Sequence, residues 1–444
     1  MADWIRKTFR SDTGWNHLET LVDIENRMAG SDGEREGAER TCENLAEVGA
    51  RNAHLEAFDL QGWLRGTSSL IHQGSGESFD CITLPRSPSE AVIAEFVDLG
   101  YGVEEDFADA NIKGKVVMVA SNAPPYYDRF PHRTEKYYHA VENGAVGFIF
   151  QNHVEGCLPP TGSVGRPSTP IGDIPALGVS KEVGTQLARV AQGEDIELLV
   201  NAEIYDGTSQ NVHAEIGPET DMAVLITSHV DAHDISEGAA DNGAGTAMLV
   251  EIANALAERE SDLETRVEFI AFGAEEGGLC GSEYHDSVTD TEDIKVIVNC
   301  DGVVGGRTLQ FFTHTFDELE SAVERVAGRF DHPVRIIHGE GWRGDQWPLV
   351  RWGVPGYFVS GYRDTEGRGW GHTYADTLDK LESRNLREQA ILLTELAVDL
   401  ARSDVDIEHR TPEEVAASFE QEGRAEGIKH VGEWPYEFEY SPFT

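Results

Sequence analysis

At 444 residues the chain is long enough for roughly two or three domains of about 150 residues each. Its 80 acidic residues against 35 basic ones leave a net charge of −45, which disfavours nucleic acid and anionic membrane surfaces as partners. Hydrophobic residues still make up 40% of the chain, so an acidic, solvated shell over an ordinary core is expected in place of disorder.

The acidic excess is spread along the sequence and arginine outnumbers lysine, a pattern we read as halophilic adaptation of the kind found in acidic proteomes. In molar salt the Debye length shrinks and self-repulsion fades. Folding and activity that persisted unchanged in dilute buffer would refute that reading. Residues 1–15 hold no long apolar run, so neither signal peptide nor membrane span is predicted. The five cysteines, Cys42, Cys81, Cys157, Cys280 and Cys300, are scattered and form no CxxC pair. A reducing cytoplasm is the expected compartment.

Apolar residues recur at helical spacing from Trp15 to about Gly49, through Leu18, Leu21, Met28 and Leu45, with a loop at 29–33. Residues 55–63 read as extended. Between 64 and 205 short strands are expected at 91–96, 114–120, 147–151 and 174–179, with a helix at 135–141. This block has no catalytic constellation and is predicted to be an inserted β-rich domain that shapes a site without supplying one.

Beyond Asn211 strands at 223–228, 266–272, 295–299, 334–337 and 356–359 alternate with helices, among them 246–259, 318–329 and 379–401. The fold class is therefore α/β, a sheet with helices on both faces. The boundaries read as 1–63 with 206–405 for this domain, 64–205 for the insertion and 406–444 for an acidic, aromatic-rich extension.

Chemistry gathers at the strand ends. The run 223–228 stops at His229, Asp231 and His233, the run 266–272 leads to Glu275 and Glu276, and 295–299 leads to Asp301. His372 follows the last strand, and Asp241 is expected at the N-terminus of helix 246–259. Parallel strands present their carboxyl ends to one side, so these groups should converge. Carboxylates forced together repel unless a cation sits among them. Imidazole and carboxylate without thiolate suit zinc, with manganese or cobalt as substitutes. Two ions about 3.5–4 Å apart need a bridging carboxylate and roughly five side chains in all.

The ordered set resembles the zinc exopeptidases of family M28, which include aminopeptidases and carboxypeptidase Q-like members. It runs through His229 and Asp231, Asp241 and Asn242, the segment from Glu275 to Ser282, Asp301, Asp345, Gly353 to Pro355, and His372 with Thr373. Arg27 to Ser31 looks like the family's N-terminal signature. The middle block is similar to a protease-associated (PA) domain through 112–117, 143–145 and 175–180.

The resemblance implies a zinc-exopeptidase-type mixed sheet and two Zn2+ ions. Asp241 would bridge them, His229 and Asp301 would complete one ion, and Glu276 and His372 the other. Asp231 would orient the ring of His229. Glu275 would be the general base, taking a proton from the metal-activated water and returning it to the leaving amine. The implied activity is hydrolysis of the N-terminal peptide bond of short peptides, with a carboxypeptidase or dipeptidase on the same fold as the alternative. The substrate partner is a peptide, and the sequence carries no sign of an oligomeric state.

Other readings stand beside these. His233 is a rival ligand, placed here as a substrate-side neighbour, and Asp345 is a substrate contact or a loop organiser. Asp376 pairs with His372 or caps the last helix. Cys280 and Cys300 are packing residues. Tyr362 and Tyr374 are the candidates for an oxyanion donor. A non-catalytic receptor or scaffold is disfavoured by the complete ligand set, and the absence of GxSxG and HExxH disfavours a serine hydrolase or a single-zinc HExxH protease.

Overall fold

The computed structural model describes residues 2–108, 110–127, 129–166, 169–364 and 369–436. The chain divides into two compact units, Met1–Gly62 with Tyr205–Arg410, and Trp63–Ile204 with Thr411–Thr444. Among the described residues no helix is long and apolar enough to cross a membrane.

In the first unit four parallel strands form the centre of a mixed sheet, in the order Gly356–Gly361, Ile294–Cys300, Ala223–His229, Arg266–Phe272. Their period-two side chains face two cores. Val224, Ile226, Phe269 and Val298 meet the largely apolar helix Ala244–Ala257 and the helix Ser383–Leu400, while Leu225, Ile270 and Ile297 meet Leu349 and Val350. Both faces are thereby covered, which is why these strands read as continuous apolar runs.

The expected βα alternation breaks at one side. Val334–Ile337 is a strand, but it pairs with Leu309–Phe312, which runs antiparallel to Gly356–Gly361, so it points against the central four. On the other side Val212 to Ile216 pair antiparallel with Arg266–Phe272.

The second unit has its own parallel set, Glu90–Asp98, Val116–Ala120, Gly147–Gln151 and Ala176–Val179, around a core that includes Phe96, Met118, Ile149 and Leu198. Its helices include Arg133–Glu142 and Lys181–Val190. The tail groups with this unit through the helices Pro412–Gln421 and Ala425–His430, the latter against Arg133–Glu142. Residues 437–444 of the expected extension lie outside the described residues.

Candidate metal centre

His229 is the last residue of its strand, and its ring is buried. Nδ1 lies 3.2 Å from the backbone oxygen of Asp231 and 3.3 Å from its Oδ1. Nε2 faces Asp241 Oδ1 at 3.3 Å, Asp301 Oδ1 at 3.9 Å and Glu275 Oε2 at 4.0 Å. The other oxygen of Asp241 is 3.2 Å from His372 Nε2, which is itself 3.6 Å from Glu276 Oε1. One carboxylate thus stands between two imidazoles, each with a second carboxylate at its side. The seven residues singled out in the sequence are brought together at one sheet edge.

Two groups result whose donor atoms lie within 4.8 Å of one another, His229 with Asp241 and Asp301, and His233 with Glu276 and His372. His233 is closer to the centre than a substrate-side neighbour would be, since its Nε2 is 2.8 Å from Glu276 Oε2 and its ring meets that of His372 edge-on.

The backbone around these groups is held by polar side chains, of which the sequence reading names all but Glu34. Asp231 accepts from the backbone N–H of both Glu275 and Glu276, each at 3.0 Å, so it fixes the glutamate turn as well as the His229 ring. Buried Glu34 takes the preceding N–H, that of Ala274, at 2.7 Å, and is itself held by Ser209 Oγ and Gly30 N. Ala274 has φ +55°, a left-handed conformation that costs an alanine roughly 1–2 kcal/mol unless its surroundings fix it.

Asp376 accepts from Ala240 N at 2.8 Å and Asp241 N at 3.1 Å, so it positions the Asp241 loop. Asp241 itself lies three residues ahead of the helix, at φ −124°, and the peptide to Asn242 is cis. Asn242 makes the junction, accepting from Gly245 N and donating to Cys300 O. Buried Arg27 donates to the carbonyls of Leu21, Val230, Glu237 and Gly238, tying together the loops after both His229 and Ser236.

Asp345 Oδ1 accepts from Ser282 Oγ at 2.6 Å, and its buried Oδ2 has no hydrogen-bond partner among the described residues. Tyr362 lies under Arg335, and Tyr374 is exposed. Cys300 is buried, and burial pushes its thiol up to about 12, as expected of a packing residue.

The electrostatics follow from crowding. Burial pushes the Glu275 carboxyl well above the usual range, opposed by His229 and reinforced by Glu276, Asp345 and Asp301. Burial also lifts Glu276 and Asp345 to about 7. His229 is raised despite its burial, because Glu275, Asp231 and Asp241 surround it. Among the described residues His229 Nε2 has no hydrogen-bond partner, yet it is buried 3.3 Å from a carboxylate oxygen. Donor atoms around a dication are spaced in this way, and the surplus negative charge is what such an ion would balance. The residues present therefore fit a metal centre.

Residues 211–397 match the sequence model of peptidase family M28, and residues 89–187 match that of the PA domain. Aminopeptidase YwaD of Bacillus subtilis is 27% identical across 85% of this chain and 82% of that protein, and carboxypeptidase Q of Mus musculus is 23% identical across 88% and 86%. The match to leucine aminopeptidase 2 of Trichophyton equinum, 28% identical, covers 62% of this chain and spans about half of that protein, 54% of its length. In fold, the chain is similar to the solved zinc aminopeptidase BSAP of Bacillus subtilis, with a TM-score of 0.71 at 23% identity over 90% of this chain and 98% of that one. Residues 211–397 thus belong with peptidase family M28, and residues 89–187 with the PA domains.

Proposed function

We propose that this family M28 peptidase is a dinuclear zinc aminopeptidase that removes the first residue of short peptides. The observation that carries the reading is Asp241, whose two oxygens stand 3.3 and 3.2 Å from His229 and His372. A carboxylate so placed is suited to bridge two ions, with Asp301 beside the first, and Glu276 and His233 beside the second. Zinc, when bound, lowers the pKa of water and polarises the scissile carbonyl.

The chain's own residues do the rest. Glu275 follows a turn whose N–H groups are held by Glu34 and Asp231, so its carboxylate is fixed in direction. As a carboxylate beside the attacking water it would take one proton from that water and hold it. The same carboxyl then protonates the leaving amine. Glu276, one residue on, turns to His233 and His372 instead. The burial of this edge keeps bulk water from screening these charges.

A carboxypeptidase or dipeptidase reading is favoured by one observation, the similarity to carboxypeptidase Q over most of both chains. Unblocked, N-blocked and C-blocked peptides assayed in molar salt separate the two. An aminopeptidase loses activity with the N-terminal block alone, and retained cleavage of N-blocked peptides would overturn the assignment. Chelation should abolish turnover and added zinc restore it, whereas turnover that persists in metal-free protein would sink the reading as a whole. We extend the proposal to a halophilic enzyme on the strength of its acidic composition, and to a cytoplasmic one on its scattered cysteines without a CxxC pair.

A further inference from the structure

A second set of imidazole and carboxylate groups lies within the first unit, away from the residues described above. His213 comes from the strand Asp195–Ile216, where it stands opposite Ile270, and Glu268 comes from the adjoining Arg266–Phe272. Glu56 comes from the strand Arg51–His72 and His285 from the helix Cys280–Val288. We propose that Glu56, His213 and His285 form a second zinc-class site, in which Glu268 holds the His213 ring for coordination.

The geometry repeats that of His229. His213 Nδ1 is 3.1 Å from Glu268 Oε1 and Nε2 is 3.2 Å from Glu56 Oε2, as His229 is flanked by Asp231 and Asp241 at 3.3 Å each. A carboxylate on the far nitrogen is the usual support of a metal-bound histidine, because it fixes the tautomer and aims the other lone pair. Ligands about 2.0–2.1 Å from a tetrahedral zinc stand roughly 3.3 Å apart, close to the Glu56 to His213 spacing.

His285 supplies the third donor, within 4.8 Å of the other two. It is only 6% exposed, so its ring is buried beside the other two donors. Glu56 is 30% exposed at its side chain, which leaves the ion a path in and room for water as the fourth ligand. With no thiolate in the set, zinc and cobalt are the fitting ions.

The remaining neighbours sharpen the expectation. The His54 ring stacks on His213 at 5.1 Å, and Arg266 Nη1 is 3.3 Å from Glu268 Oε2. Although burial opposes it, Glu268 and Glu56 lift His213 to about 9.

The site is independent of the peptidase reading and is tested by counting metal. Full-length protein is equilibrated with Zn2+, freed of excess by gel filtration and analysed for zinc, beside Glu56→Gln and His285→Ala. Wild type should retain one equivalent more than either variant, with peptidase activity unchanged within about twofold. Titration of metal-free protein with Co2+ should show an absorption component that both variants lose. Equal zinc in all three proteins would mean that His213 is an imidazolium bridging two glutamates, and would overturn the proposal. Should His285→Ala fail to fold, Glu56→Gln, at a part-exposed position, still decides. A failure of the dinuclear centre would change the total in every protein and leave the difference intact.

Discussion

Each unit of the chain is built on four parallel strands, and the two differ in what their strand ends do. In the PA-containing unit Val116–Ala120 is followed by Ser121, Gly147–Gln151 by Asn152 and His153, and Ala176–Val179 by Ser180. Ser121 Oγ lies 2.7 Å from His153 Nδ1, Asn152 donates to Leu158 O, and Ser180 caps the helix Lys181–Val190 through Val183 N. These polar ends are engaged in shaping their own turns. In the other unit the turns are shaped by Asp231, Glu34, Asp376, Asn242 and Arg27, and His229, Glu275, Glu276 and Asp301 are left to face one another. Parallel topology offers an edge in both cases. Chemistry appears only where separate side chains do the scaffolding.

The contrast breaks most severely at Glu275. Glu275→Gln keeps the shape and removes the proton acceptor, so turnover should fall about 10²–10⁴-fold with zinc content unchanged. Turnover within tenfold of wild type would refute the assigned base.

Removing the scaffold should cost less than removing the base. Asp231→Ala frees two N–H groups of the glutamate turn and the Nδ1 side of His229, and a loss of about 10–100-fold is expected in activity or zinc affinity. Glu34→Gln keeps one acceptor oxygen and turns an amide NH2 towards the donors on the other side, either Gly30 N or the pair of Ala274 N and Ser209 Oγ. Its expected effect is about tenfold on kcat, with KM and zinc content near wild type, because Glu34 touches no proposed ligand. An unchanged kcat in correctly folded Glu34→Gln protein would show that the turn holds its direction without this clamp.

How far all this could be read from the chain follows the same division. Strand ends are local: an apolar run stopping at His229 or leading to Glu275 is visible in sequence, and parallel topology then brings the ends together. Scaffolding is not local. Asp376 reaches back to Ala240 and Asp241, and no periodicity links positions so far apart. Ser31 and Glu34 have the spacing of a helix capping box, and Ser31 does accept from Glu34 N, but the Glu34 carboxylate leaves the helix for Ala274. Strand direction is equally long-range, which is why Val334–Ile337 was legible as a strand and not as a reversed one. In the tail, Thr411, Pro412 and Glu414 form a capping box with proline in the first turn, a local signal that marks the helix Pro412–Gln421.

The smallest effect is expected at the strand ends of the PA-containing unit, and there the comparison can be made sharp. Ser121→Ala deletes the hydroxyl that lies 2.7 Å from His153 Nδ1 and accepts from His153 N at 3.0 Å. Losing a part-buried pair of this kind should lower stability by about 1 kcal/mol, read as a shift in the denaturation midpoint at constant slope. If this edge only shapes its own turns, kcat should stay within twofold while the midpoint moves. A tenfold fall in kcat at unchanged stability would instead mean that the second set of strand ends takes part in the reaction, and the division between the two units would have to be redrawn.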